Sequence, residues 1–263
     1  MTNKKAFIVA EAGVNHNGSI SKAMDLIDVA AYSGADAVKF QTFKAENHYA
    51  KNSPKISLYK EGTYELIKSL EIDRNWHVKL SKICNNLGLD FMDSPCDFEA
   101  IDLANSVDMD ILKVASFDMV DSRLVRKIAQ SGRGIMLSTG MANLSEIQNA
   151  INICHSEKNY DIVLLQCTSL YPAPVKLTNL NAMKTLQQAF GCIVGYSDHT
   201  LGDHIACAAV ANGAKVIEKH YTLNKNADGP DHQFAIEPND LKNMINKIRE
   251  IECAMGDGIK NGP

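Results

Sequence analysis

No glycine-rich phosphate loop follows any apolar run of this chain: neither GxGxxG nor GxxxxGK[ST] occurs in that position. That absence counts against a doubly wound dinucleotide or P-loop fold. No apolar stretch is long enough to span a bilayer as a helix, so no membrane partner is expected. Basic residues are not in excess, with 27 Lys and Arg against 31 Asp and Glu. The clustered cations that neutralise a nucleic-acid backbone are therefore missing, and no nucleic-acid partner is expected. The seven cysteines form no CxxC pair, and their number is odd. Cys84, Cys96, Cys154, Cys167, Cys192, Cys207 and Cys253 read as small core residues in a reducing compartment rather than a disulfide framework. The start, MTNKKAFIVAEAG, passes from a short polar lead into a strand without an apolar signal core, so a cytoplasmic setting is expected.

What is present is alternation. Short apolar runs read as strands at 6–13, 37–43, 90–95, 111–116, 134–140, 162–169, 192–197 and 215–221. Between them lie segments with helical spacing: 19–33, 76–87, 98–104, 122–130, 143–155, 179–190, 201–212 and finally 238–255. Asn143 with Glu146 has the spacing of a capping box. The polar stretch 44–75 shows little pattern, and one short helix is expected there; long loops in a compact domain are usually functional. Strands that are apolar on both faces, each followed by a helix, predict an α/β protein. Eight repeats predict a (β/α)8 TIM barrel occupying 1–263 as one domain, ahead of an open doubly wound sheet.

In such barrels chemistry collects at the C-terminal ends of the strands. The polar residues there are Glu11, Lys39, Gln41, Ser94, Lys113, Ser116, Ser138, Ser169, Ser197, His199 and His220. His199 follows one strand and His220 ends the next. If the two strands are parallel neighbours, both imidazoles emerge at one edge, where they can hold a divalent metal and leave positions for water and substrate. Each taken alone reads equally well as a turn or capping residue. Lys39 and Lys113 lie among apolar neighbours, and a buried ammonium group needs an anion. With the rim hydroxyls they suit a phosphate or carboxylate. Glu11 reads as a general acid or base, or as an ion-pair partner of either lysine. Asp231, in the GPDH loop, can accept hydrogen bonds from a polyol or simply serve the turn. His16 and His232 stand between functional and structural readings. A metal beside an anion pocket suits carbon–carbon bond formation between an enol phosphate and an aldehyde, but equally an aldolase or an isomerase. A non-catalytic barrel that binds a sugar or enol phosphate stays open. The absence of an HxH pair at the first strand counts against the common metal-dependent hydrolases.

The motifs AEAGVNHNGS, AVKFQTF, LKVASFD, LSTGM, CTSLYPAP, GYSDHT, EKHYT and GPDH occur in this order over nearly the whole chain. Together they resemble the N-acetylneuraminate (sialic acid) synthase family, which includes legionaminic and pseudaminic acid synthases. The resemblance implies condensation of phosphoenolpyruvate with an open-chain 2-acetamido sugar such as N-acetylmannosamine, giving a nonulosonic acid and phosphate. It implies a divalent cofactor, manganese above all, with magnesium or cobalt as alternatives, on His199 and His220. It assigns Lys39, Lys113, Ser94, Ser116, Ser138 and Ser197 to phosphoenolpyruvate, and Glu11, Gln41, Tyr171 and Asp231 to the sugar. In the implied reaction the enol carbon attacks the aldehyde, water adds to the resulting oxocarbenium carbon with Glu11 as acid or base, and phosphate leaves by carbon–oxygen cleavage. Ser169 stands where some members have Asn, and Asp118 where some have Glu. Members usually continue into a small antifreeze-like domain that, in a homodimer, brings an Arg to the partner's sugar. A homodimer, or a partner chain supplying that lid, is accordingly expected.

Overall fold

The computed structural model describes residues 5–54, 62–260 and 262. Its elements run β1 (Phe7–Gly13), α1 (Ile20–Ser33), β2 (Ala37–Thr42), α2 (Ala45–His48), α3 (Thr63–Ser69), α4 (His77–Leu87), β3 (Asp90–Pro95), α5 (Phe98–Ser106) and β4 (Ile111–Val114). They continue α6 (Ser122–Ala129), β5 (Gly134–Ser138), α7 (Leu144–Ser156), β6 (Ile162–Cys167), α8 (Ala182–Phe190), β7 (Ile193–Asp198), α9 (His204–Ala211), β8 (Val216–His220) and α10 (Pro238–Ala254). The strands close into one barrel in chain order, β1 pairing with both β2 and β8, and every pairing is parallel. The fold is a (β/α)8 barrel.

Side-chain alternation divides each strand between two cores. Facing outward under the helices is a large apolar layer that includes Ile8, Val38, Phe40, Leu112, Leu137, Leu164 and Ile217. Facing inward, Val9, Ala37, Met92, Met136, Val163, Leu165 and Val216 plug the N-terminal half of the barrel. Gly195 of β7 sits against this plug. A Cβ there would meet Val216 O at 2.5 Å and Leu165 Cδ2 at 2.6 Å, so any side chain is excluded. Further along β1 to β5, β7 and β8 the inward positions turn polar, at Glu11, Lys39, Ser94, Lys113, Ser138, Ser197 and Glu218.

Local signals set the boundaries. Asn143 accepts from the N–H groups of Ser145 and Glu146, and Glu146 returns to the Asn143 N–H; the expected capping box is present. Helix α8 begins at Ala182 rather than 179, because Asn179 lies at φ +44°. Helix α9 begins at His204 rather than 201, because Gly202 turns the chain at φ +74°. Strands β4, β5 and β6 stop short of their expected ends. Beyond them the Ser116 hydroxyl takes the Gly140 N–H (3.1 Å), so the backbone has left the ladder. Stretch 44–75, expected to hold one helix, contains α2, α3 and a 3-10 turn at Arg74–Trp76, with residues 55–61 outside the described ones. Elements of three to seven residues are too short to register as periodicity. Cys253, expected in the core, is exposed on the last turn of α10.

Candidate active site

A cavity of about 380 Å³ opens at the C-terminal mouth of the barrel. Glu11, Lys39, Gln41, Ser94, Lys113, Ser116, Ser138, Ser169, Tyr171, Ser197, His199, His220 and Asp231 all line it. Register explains the convergence. Glu11 is the Cα partner of Lys39 on one side and of His220 on the other, so three strands deliver these side chains at one level.

At the floor the charges interlock. Lys39 Nζ lies 2.7 Å from Glu11 Oε2 and 3.6 Å from Glu218 Oε2, and donates to Ser94 Oγ at 3.0 Å. Glu11 also accepts from Gln41 Nε2 at 2.7 Å. Lys113 Nζ sits 3.8 Å from Glu218 Oε1 and donates to Val114 O. Ser197 donates to Glu218 at 2.8 Å. The ion-pair reading of Glu11 is met by Lys39, and the carboxyl also lines the cavity. Burial pushes the Glu11 carboxyl up to about 7; Lys39 opposes the rise and Glu218 reinforces it. Burial would lower Lys39, but Glu11 and Glu218 outweigh it and hold the ammonium group at about 12. Lys113 is lowered by burial, which the more distant Glu218 offsets only in part. Glu218, which burial would raise, is held low by Lys113, Lys39 and the Ser197 hydroxyl. Sequence reasoning missed Glu218, although its signal was available: it stands two residues before His220 and so faces the same way.

At the mouth the rings of His199 and His220 lie with centroids 5.6 Å apart and planes at 61°. His199 is tied through Nδ1 to Thr168 O at 2.8 Å, which leaves Nε2 for another partner. His220 Nδ1 is buried without a hydrogen bond, 3.5 Å from Asp231 Oδ2. Burial lowers the pKa of both rings, and for His220 the neighbouring His199 adds to the effect. Two neutral, convergent imidazoles, one with an orphaned nitrogen, fit a divalent metal. Among the described residues no group of three or more His, Cys, Asp and Glu could hold one. The remaining coordination positions would fall to water or substrate oxygens. Tyr171 lies over His199 at 4.2 Å between centroids, and Phe234 lies 5.0 Å from His220.

The outer wall comes from less regular parts of the chain, among them His48, Tyr49, Phe117 and Cys96. Burial and the neighbouring Asp118 hold the Cys96 thiol well above its usual range, which favours the neutral thiol. Asp118 itself is raised to about 6 by burial. His16 and His232 stay out of the cavity. His16 packs between Phe40 and Trp76, with its Nδ1 accepting from the Gly18 N–H; His232 bonds Thr222 and Asn17. Both are structural here.

Fold and site together define a (β/α)8 barrel with a polar cavity at its C-terminal rim, the place where barrel enzymes carry their chemistry. The NeuB family model matches residues 26–260, and the chain belongs to the NeuB family. It is 47% identical to the N,N'-diacetyllegionaminic acid synthase of Campylobacter jejuni, over 98% of this chain and 79% of that protein. It is 37% identical to the pseudaminic acid synthase of Helicobacter pylori, over 95% of this chain and 75% of that one. The crystal structure of the N-acetylneuraminic acid (sialic acid) synthetase of Leptospira borgpetersenii superimposes with a TM-score of 0.90 at 34% identity, covering 98% of this chain and 87% of that one. No described helix is long and apolar enough to cross a membrane.

Proposed function

We propose that the chain condenses phosphoenolpyruvate with an open-chain 2-acetamido sugar, releasing phosphate and a nonulosonic acid. The observation that carries this reading is the juxtaposition of an ammonium–carboxylate floor with two neutral imidazoles in one cavity. Lys113, the less neutralised of the two lysines, and Lys39 hold the enol phosphate together with the hydroxyls of Ser94, Ser116, Ser138 and Ser197. Gln41, Ser169, Tyr171 and Asp231 orient the sugar. Glu11, raised to about 7, is poised to hold or release a proton at the carbon that water attacks. His199 and His220 would hold a divalent metal, manganese first among the candidates, whose chemistry is Lewis-acid polarisation of the acceptor carbonyl. Tyr171 and Phe234 screen that edge from bulk water.

The test is phosphate release from phosphoenolpyruvate, with manganese and a panel of 2-acetamido and diacetamido sugars. Release that depends on one of the sugars is expected. Tight phosphoenolpyruvate binding without release for any sugar would sink the reading.

A further inference from the structure

Behind the imidazole pair, on the outer face of the same two strands, lies a buried polar cluster that the reaction does not use. Asp198 and Lys219 are register partners on β7 and β8. Alternation turns Lys219 away from the cavity that Glu218 and His220 face. Lys219 Nζ donates to Asp198 Oδ2 at 2.9 Å and to Thr200 O at 2.5 Å. Asp198 Oδ1 accepts from the Thr200 N–H at 2.9 Å and from the Thr200 hydroxyl at 2.8 Å. Asp198, Thr200 and Lys219 are each 1% exposed or less.

The position of the cluster is informative. His199 lies between Asp198 and Thr200, and His220 directly follows Lys219. The β7–β8 ladder ends at Asp198, so strand pairing does not reach His199. The turn is held by the Asp198–Thr200 bonds, by the Ala173 N–H, which donates to His199 O at 2.9 Å, and by one ammonium group that grips residues on both sides of His199 from the strand that bears His220. The ring's own bond to Thr168 O restrains it from the β6 side. A buried ion pair is a poor device for stability alone, since apolar residues of the same volume often serve as well. Directed bonds across two strands are what such a pair adds.

We infer that Lys219, through Asp198 and Thr200, is a positioning residue that sets the spacing of His199 and His220. The inference rests on the proposed metal role of that pair. Removing an outer partner that bonds a metal ligand directly costs roughly 10- to 100-fold in metal affinity; Lys219 acts one step further out, through the residues that flank His199.

The test uses the full chain carrying Asp198→Asn together with Lys219→Met. Asn keeps an acceptor for Thr200, and no unpaired charge is left inside; the variant loses the cross-strand link together with the donor to Thr200 O. Lys219→Met by itself strands the Asp198 carboxylate and is expected to fold poorly. Two readouts are taken on metal-stripped protein without substrates: manganese binding by electron paramagnetic resonance, and amide exchange over residues 197–201. Expected are at least a tenfold rise in the manganese Kd and faster exchange of that turn, with β3 to β5 unchanged. A folded double variant that binds manganese within twofold of the parent overturns the inference. If the parent binds no manganese, the metal reading fails instead; exchange then decides the clamp, and an unchanged rate at 197–201 overturns it.

Discussion

Glu218 is the residue on which the floor of the cavity turns. Among the described residues it alone touches Lys39, Lys113 and Ser197. Glu218→Gln keeps an oxygen for Ser197 and the side-chain volume but withdraws a charge from both lysines. We expect kcat for phosphate release to fall about 100-fold or more, within the usual range for losing a charged active-site group, with an unchanged circular dichroism spectrum. A kcat within twofold of the parent would show that the charge is dispensable. His16 gives a prediction of a different kind. Burial lowers its pKa from 6.5 to about 4, so the fold favours the neutral ring. Its contribution is fully present above pH 6.5, is lost as pH falls from 6.5 towards 4, and changes no further below that. The full loss is about 3 kcal/mol. Unfolding free energies measured across that window should fall more steeply for the parent than for His16→Asn; parallel curves would contradict it. In the sequence the two residues were equally visible and differently legible. His16 stood between a functional and a structural reading, and its packing against Phe40 and Trp76 decided for the second. Glu218 looked like part of a strand, although period-two counting from His220 would have exposed it.

Strand β7 shows what one element must satisfy at once. Its inward face passes from Ile193 through Gly195 to Ser197, from plug to cavity. Gly195→Ala drives a methyl group into the Val216 carbonyl and Leu165, and both are held by the barrel. Overpacking of this kind costs about 1–3 kcal/mol, visible as a lower midpoint in urea unfolding. An unchanged midpoint would mean that the ring of strands can widen. At this scale the strands were legible from their apolar runs, and the capping box of α7 from four residues. Of stretch 44–75 one short helix was expected and two are present, because elements this short give no clear periodicity. The C-terminal ends of β4 and β5 were overextended for a related reason: small residues such as Ser116 and Gly140 fit an extended run as well as the bonded turn they make.

For the molecule as a whole, the metal reading predicts a linkage. A cation that binds the native chain and not the unfolded one stabilises it by about 2.7 kcal/mol at a hundred times its Kd. For a chain of this size the melting temperature should rise by several degrees with manganese. The shift should vanish in His199→Ala, and differential scanning calorimetry after chelation measures both. An equal shift in that variant would place the ion elsewhere. Alternating apolar strands and helices, with polar residues kept to one end of each strand, were enough by themselves to specify a closed parallel barrel and to name most of its cavity. Both periodicities are local properties of the chain, set by whether a side chain points inward or outward. Which charges meet was decided only by tertiary structure. Lys39 could have faced Glu11 or an empty pocket, and Lys219 a solvent shell or Asp198; closing eight strands with this stagger settled both, because distance across a barrel depends on register and not on separation along the sequence.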